Sequence, residues 1–469
     1  MAFEAQAASS VLARFGGPPA VSPEELTAGL GRWPDVRDCD VDAVVRVLRS
    51  DCEPWGFLHP EVEAFQNAYR AFVGTRHCLA LSSGTAALHL AVLASGAQAG
   101  DEIITPALGF IASATCILHH NCIPVFADVD PDTSNLSPAS VEALIGPRTR
   151  AILAVDLLGL PADYEAIRAL ARRHGLAVIE DASQAQGATY GGRRAGSLGD
   201  VSALSIMPSK NLPGGGEGGL VTTDDDEIFS RILGHASHGM HLWSGDAPRP
   251  VSYELGFNYR PTPSTMAFAR QQLQRLPHYQ ALRSDRADRF AQLVGDIDFL
   301  QLPRVPENST HAFQMFRMRV DPEALDLPLE LGEHLRDAFV FLLHAEGALV
   351  GFWERELLPA MALFQNLRGY GGGCPWKCSG SLRSYDPSNF PAAQRILDTY
   401  LMAPVCRATT SLEFVERQAL AYRKVADHRT TLRTLALRFA RAGGFHALTG
   451  VDICDAHAQR SMRLSSSES

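Results

Sequence analysis

From Ser82 to about Asp226 the chain alternates short β-rich apolar runs with longer helical ones, and this alternation restricts the fold more than any other feature of the sequence. EIITP (102–106), IPVFADV (123–129), RAILAVDLL (150–158), LAVIEDA (176–182), VSALSIM (201–207) and GGLVTTD (218–224) are the strand candidates. Helical candidates lie between most of them: TAALHLAVLASG, FIASATCILHH, SPASVEALI and ADYEAIRALARRHG. Strand and helix in alternation imply right-handed crossovers and a mostly parallel sheet covered on both faces. In such sheets ligands sit at the carboxyl ends of the strands. The segments to read for chemistry are therefore Asp181 to Gln184, Ser205 to Lys210 and the turn before Thr85.

A chain of 469 residues, 46% hydrophobic, exceeds one small domain. The expected division is an N-terminal extension over 1–50, a large cofactor-binding domain over 51–289 and a smaller C-terminal α/β domain over 290–469. The last of these carries apolar helical stretches at LRDAFVFLLHAEG and FVERQALAYRKVADH and ends in a Ser-rich frayed tail, Ser461 to Ser469. A formal charge of -10 argues against a sequence-independent nucleic-acid binder, which needs clustered cations, and points to small-molecule partners. The opening MAFEAQAASSVLARFGG has no basic cluster before an apolar run, and the greasiest stretch, Ala338 to Trp353, is interrupted by His344 and Glu346. Neither secretion nor membrane spanning is expected, and a cytoplasmic protein with reduced thiols is the simple reading of nine scattered cysteines. No metal site is expected, because Cys374 and Cys378 have no second pair at zinc spacing and His119-His120 has no third ligand. Lysine occurs only at 210, 377 and 424, so an amine nucleophile has three candidates.

Ser82-Ser83-Gly84-Thr85 precedes an apolar helix and places a small-residue turn where backbone N–H groups and the positive helix end can meet an anion; an ordinary N-cap has the same signature. Asp181 ends a strand, where a carboxylate can hold a protonated ring nitrogen, while alternation turns Glu180 to the other face. Gln184 lies one short turn onward. Lys210 follows the strand VSALSIM, beside hydroxyls; a lysine that forms an imine needs desolvation or neighbouring positive charge, since its ordinary pKa of about 10.4 leaves little free amine. Gly214 to Gly219 satisfies G-x-G-x-x-G in form, but a strand and not a helix follows it, so a dinucleotide site is rejected. Asp128, Asp130 and Asp132 open like a calcium loop yet lack its glycine at position six, where Thr133 stands.

In order along the chain, SSGTAALHLAVLASG, GDEIITPALGFIASA, IPVFADVD, IEDASQAQGA, GSLGDVSALSIMPSKN, GEGGLVTTDD and GFNYRPTPSTMAFARQQLQRL resemble the DegT/StrS sugar-aminotransferase family of fold-type I pyridoxal-phosphate enzymes. The resemblance is strong from about Trp55 to Leu276 and weaker to about Val425. It implies that Lys210 is the Schiff-base lysine and acid/base, that Asp181 pairs with the pyridinium nitrogen and that Gln184 contacts the ring hydroxyl side. Gly84, Thr85 and Ser205 resemble the family's phosphate contacts, and Phe110 holds its ring-stacking position. Asn258, in G-x-N-Y-R, would reach the phosphate of a neighbouring subunit, which implies a homodimer with shared active sites.

The sequence departs from the family pattern at Asp156, where V-H-x-x-G is common, at Gln186 in A-H-G-A, and at Met207 before P-x-K. These leave substrate identity open. Relatives that dehydrate carry histidine at the position of Lys210, so its retention favours transamination, with glutamate or glutamine as donor and a keto-sugar or keto-cyclitol as acceptor. Aminated natural products, antibiotics among them, are a common setting for the family by analogy only. Trp55, Tyr259 and Arg260 are the acceptor-side candidates. Elimination or cyclisation on an amino-acid substrate, or a non-catalytic regulatory role, are the alternatives. The insert from Gly371 to Asn389 reads either as a substrate-side loop or as a surface excursion.

Overall fold

The computed structural model describes residues 11–51, 56–240, 251–381, 383–449 and Ile453. Trp55 and the Ser-rich tail fall outside the described residues.

Twelve strands are described: β1 His77–Leu81, β2 Glu102–Pro106, β3 Ile123–Ala127, β4 Thr149–Val155, β5 Ala177–Asp181, β6 Thr189–Tyr190, β7 Arg193–Arg194, β8 Val201–Ser205, β9 Gly219–Thr223, β10 Leu300–Gln301, β11 Phe316–Val320 and β12 Tyr400–Ala403. Seven of them form one sheet in the order β1-β9-β8-β5-β4-β2-β3. All its neighbours are parallel except those of β9, which runs antiparallel to β1 and β8. The six strand candidates all form, and the four helical candidates appear as Gly84–Ala94, Ala112–His119, Pro138–Leu144 and Tyr164–His174. In β5 the alternation buries Ile179 in the apolar layer that holds the helix Gly84–Ala94 and Val178 in the opposite layer with the helix Tyr164–His174. Asp181 follows the parity of Ile179, and Glu180 that of Val178.

A second sheet, β10-β11-β12, is antiparallel and forms a separate core with the helices Gly332–Ala345, Leu412–Ala426 and Arg429–Ala442. The lead-in docks on this core through Leu12, Val21 and Leu26. Its anchor is Glu346, fully buried, whose carboxylate accepts from the N–H groups of Ala13 (2.7 Å) and Ala20 (3.0 Å) and from Lys424 Nζ (2.8 Å). Glu346→Ala leaves two amides without their acceptor and strips the Lys424 ammonium of its counter-charge, leaving it the Pro18 carbonyl, so it is expected to cost about 3–5 kcal/mol, read as a lower urea midpoint at unchanged slope.

The insert is tied down, and its tie points lie away from the carboxyl ends of the strands. Trp376 is fully buried and donates to Tyr385 Oη (2.8 Å), Tyr385 donates to the Pro124 carbonyl (2.9 Å), and Arg383 pairs with Glu102 (3.0 Å). Pro124 and Glu102 stand at the amino ends of β3 and β2. The expectation of uniformly reduced thiols is corrected here: Cys374 and Cys378 are joined as a disulfide, Cα to Cα 5.1 Å, because the turn between them folds back on itself. Cys39, Cys78, Cys116, Cys122 and Cys406 are free. Among the described residues no helix is long and apolar enough to cross a membrane.

Candidate active site

The carboxyl ends of β1, β2, β4, β5 and β8 and the amino end of the reversed strand β9 meet at one edge of the large sheet. Beyond β1, Ser83 caps the helix Gly84–Ala94 by accepting from the Ala86 N–H (3.1 Å). Glycine is required on both sides of that turn. A Cβ on Gly84 would lie 2.6 Å from Ser205 Cβ, and one on Gly219 would lie 2.2 Å from the Ser83 carbonyl oxygen. The glycine run before β9 thus serves close backbone approach, in keeping with the rejection of a dinucleotide loop.

Asp181 is held rigidly at the end of β5. Ser113 Oγ donates to its Oδ2 (2.7 Å) and the Ser183 N–H to its Oδ1 (3.1 Å), and the side chain is nearly buried. Beyond β4, Leu158 adopts a left-handed conformation (φ +55°) and donates its N–H to Gln184 Oε1 (2.6 Å). A β-turn amide needs an acceptor, which fixes the Gln184 amide so that its NH2 is left to offer. Past β8, Lys210 is half-buried, and burial lowers its ammonium pKa while the carboxylates of Asp181 and Glu217 oppose that shift.

Gly84, Thr85, Phe110, Asp181, Gln184, Ser205 and Lys210 line one cavity of about 300 Å³. Phe110 stands at its wall 60% exposed. Three other sequence candidates, all described, are not in this wall. Asn258 is exposed, its backbone bridged to Ser237; Tyr259 stacks on Phe257 (5.0 Å between centroids) with its hydroxyl on His89 Nδ1 (3.0 Å); Arg260 packs beside Gly56. Trp55 lies outside the described residues. Residues that sequence reading missed also line the cavity, chiefly Ser183, Glu217 and Trp353. Ser183 was within reach of sequence reading, two positions after Asp181. Trp353 was not, since it comes from the distant C-terminal half. Of the three departures, Met207 lines the cavity, Gln186 is buried and donates to the Ser205 carbonyl (2.6 Å), and Asp156 is fully buried.

The set suits a flat ligand with an anionic group at the helix N-terminus, a cationic ring N–H at Asp181 and a carbonyl within reach of an amine. The sequence profile of the DegT/DnrJ/EryC1/StrS aminotransferase family matches residues 34–344. The chain is 37% identical over 288 residues to the spore coat polysaccharide biosynthesis protein SpsC of Bacillus subtilis, covering 60% of this chain and 73% of that one. It is 39% identical over 258 residues to GDP-perosamine synthase of Caulobacter vibrioides, covering 55% and 68%. Among solved structures, S. venezuelae DesV in complex with a ketimine intermediate superimposes with a TM-score of 0.70 at 29% identity, over 83% of this chain and 94% of that one.

Proposed function

The chain belongs to the DegT/DnrJ/EryC1/StrS aminotransferase family and has the fold-type I architecture, and on that premise we propose that it moves an amino group from glutamate or glutamine to the ketone of a sugar or cyclitol. The family's cofactor is pyridoxal phosphate, and the cavity fits it: about 300 Å³ of space, lined by the N-terminus of the helix Gly84–Ala94, the buried Asp181 carboxylate and the Lys210 amine. When bound, pyridoxal phosphate supplies a carbonyl that links to amino groups and a ring that withdraws electrons from the adjacent carbon.

This chain's residues supply the rest. Gly84, Thr85 and Ser205 would hold the phosphate at the helix N-terminus, and Phe110 would offer its ring to that of the cofactor. Asp181, fixed by Ser113 and Ser183, holds a proton on the ring nitrogen and so keeps the ring positive. Gln184 presents its NH2 to the ring oxygen, its own oxygen being taken by Leu158. Lys210 would link to the cofactor through its amine and, once displaced by the donor, its Nζ would take up and return a proton; the burial that lowers its pKa suits that role. The observation that carries the reading is the convergence of Lys210 and Asp181 on one cavity.

The sugar acceptor is supported by the two relatives, one named for spore coat polysaccharide and one for perosamine. Asn258 is exposed and outside this chain's cavity wall, which leaves it open to a neighbouring subunit, and a homodimer with shared sites is part of the reading on the strength of the family resemblance. The test is an absorbance spectrum of the protein with pyridoxal phosphate before and after glutamate and glutamine, added separately. Loss of the lysine-linked band with release of keto acid is expected for one of them, with ping-pong kinetics once a keto-sugar is supplied. A band that no donor changes would overturn the reading and favour elimination or cyclisation.

A further inference from the structure

Behind Asp181 lies a second pair of carboxyls that the amino-transfer reading does not use. Asp156 and Glu180 are both fully buried. Asp156 Oδ1 accepts from the Ala162 N–H (3.0 Å) and the Tyr164 hydroxyl (2.9 Å), whereas Oδ2 is enclosed without any donor. Asp156 follows two residues after Ala154, the cross-strand partner of Glu180, and so falls on the same face of the sheet as the Glu180 carboxyl, whose charge bears on it. Glu180 is rich in donors: its Oε1 accepts from the Gly196 N–H (2.7 Å) and its Oε2 from the N–H groups of Leu198 (2.7 Å) and Gly199 (3.3 Å) and from the Ser202 hydroxyl, so that Oε1 has room for one more. Two carboxylates are acceptors only and cannot satisfy one another unless one of them carries a proton. The donors around Glu180 assign it the charge and leave Asp156 as the acid.

We propose that Asp156 is a neutral carboxylic acid that donates to Glu180, so that the pair carries one negative charge, and that it is the positioning residue for the turn that holds Gln184. The turn connects them directly. The Asp156 N–H donates to the Asp181 carbonyl (3.0 Å), its side chain clamps Ala162 and Tyr164, and between these anchors the left-handed Leu158 presents its N–H to Gln184. Loss of the proton would set two buried like charges against each other and loosen both anchors. Burial, with the Glu180 charge adding to it, raises the Asp156 pKa well above the usual carboxylate range. The titratable groups beside the pair are Tyr164 on the helix Tyr164–His174 and Tyr69 on the helix Pro60–Val73. The link to cofactor handling rests on the role proposed for Gln184; the proton on Asp156 does not.

The test is the thermal midpoint of wild type and Asp156→Asn from about pH 5 to about pH 9, with and without pyridoxal phosphate. An unfolded aspartate releases its proton near pH 3.9, while the native one keeps it. Each rising pH unit below the native pKa therefore costs wild type about tenfold in its folding constant, and Asn bears no such cost. The midpoint of Asp156→Asn should climb relative to wild type as pH rises. A difference that does not change with pH, or one that moves in favour of wild type, overturns the proposal. Should Asp156→Asn not fold, Asp156→Thr takes its place, and infrared spectra of wild type read the proton directly. A protonated-carboxyl carbonyl band persisting at neutral pH and lost in the variant supports it; no such band in wild type overturns it. A pH-dependent difference in both forms, beside a Gln184→Ala protein whose cofactor spectrum is unchanged, would keep the proton and refute the role of Gln184.

Discussion

Lys210→Ala should lose amino transfer by at least about 10⁴-fold in kcat, since it removes the nucleophile and the proton carrier together. No other lysine can stand in. Lys424 is committed to Glu346 and the Pro18 carbonyl, and Lys377 belongs to the insert held at the amino ends of β2 and β3. The variant should still bind pyridoxal phosphate through the helix N-terminus and Asp181 but lack the lysine-linked absorbance band. Its thermal midpoint should stay close to that of wild type, because removal of a buried amine also removes a desolvation cost. Turnover is measured by keto-acid release and the band by a spectrum of the same sample. Retention of more than about one hundredth of wild-type turnover would rule out Lys210 as the acid/base.

The sheet was legible because β2, β3, β4, β5, β8 and β9 are apolar runs buried on both faces, a pattern that depends only on their own residues. The strand β1 was not, since HCLAL opens on a histidine, lacks β-branched residues and owes its place to pairing with β9. The 32-residue helix Pro263–Val294 was not read as one helix either: Pro277 lies inside it, and its later turns are rich in arginine and aspartate. It forms because helices from both halves of the chain pack along it, among them Asp38–Leu48, Pro60–Val73 and Leu412–Ala426.

The same division holds at the site. Residues at or shortly past the carboxyl end of a strand, such as Asp181 and Lys210, were legible as candidates because ligands sit at such ends in a mostly parallel sheet. Ser113 escaped because its partnership with Asp181 joins two crossover units, and Trp353 because 143 positions separate it from Lys210. The Asp156 substitution was legible as a departure, but its reading needed the donors around Glu180, three of which come from the loop at 196–199.

Asp181→Asn should lower kcat by about 10²–10⁴-fold, the equivalent of about 3–5 kcal/mol for a buried charge pair broken on one side. Asparagine can keep the shape of the contacts to Ser113 and Ser183, so the fold and the phosphate end should survive. It cannot hold a proton on the ring nitrogen, so the defect should fall on kcat far more than on cofactor retention. A second readout moves the opposite way. The Asp181 carboxylate props up the pKa of Lys210 against the burial that lowers it, so its neutralisation leaves the amine unprotonated at lower pH. Cofactor-free Asp181→Asn should therefore take up pyridoxal phosphate faster than wild type on the acid side, while turning over more slowly at every pH. Slower uptake there, or a kcat within a few-fold of wild type, would mean that Asp181 neither holds the ring nitrogen nor faces the lysine. A purely structural carboxylate would slow both steps together, so the opposed signs identify the role.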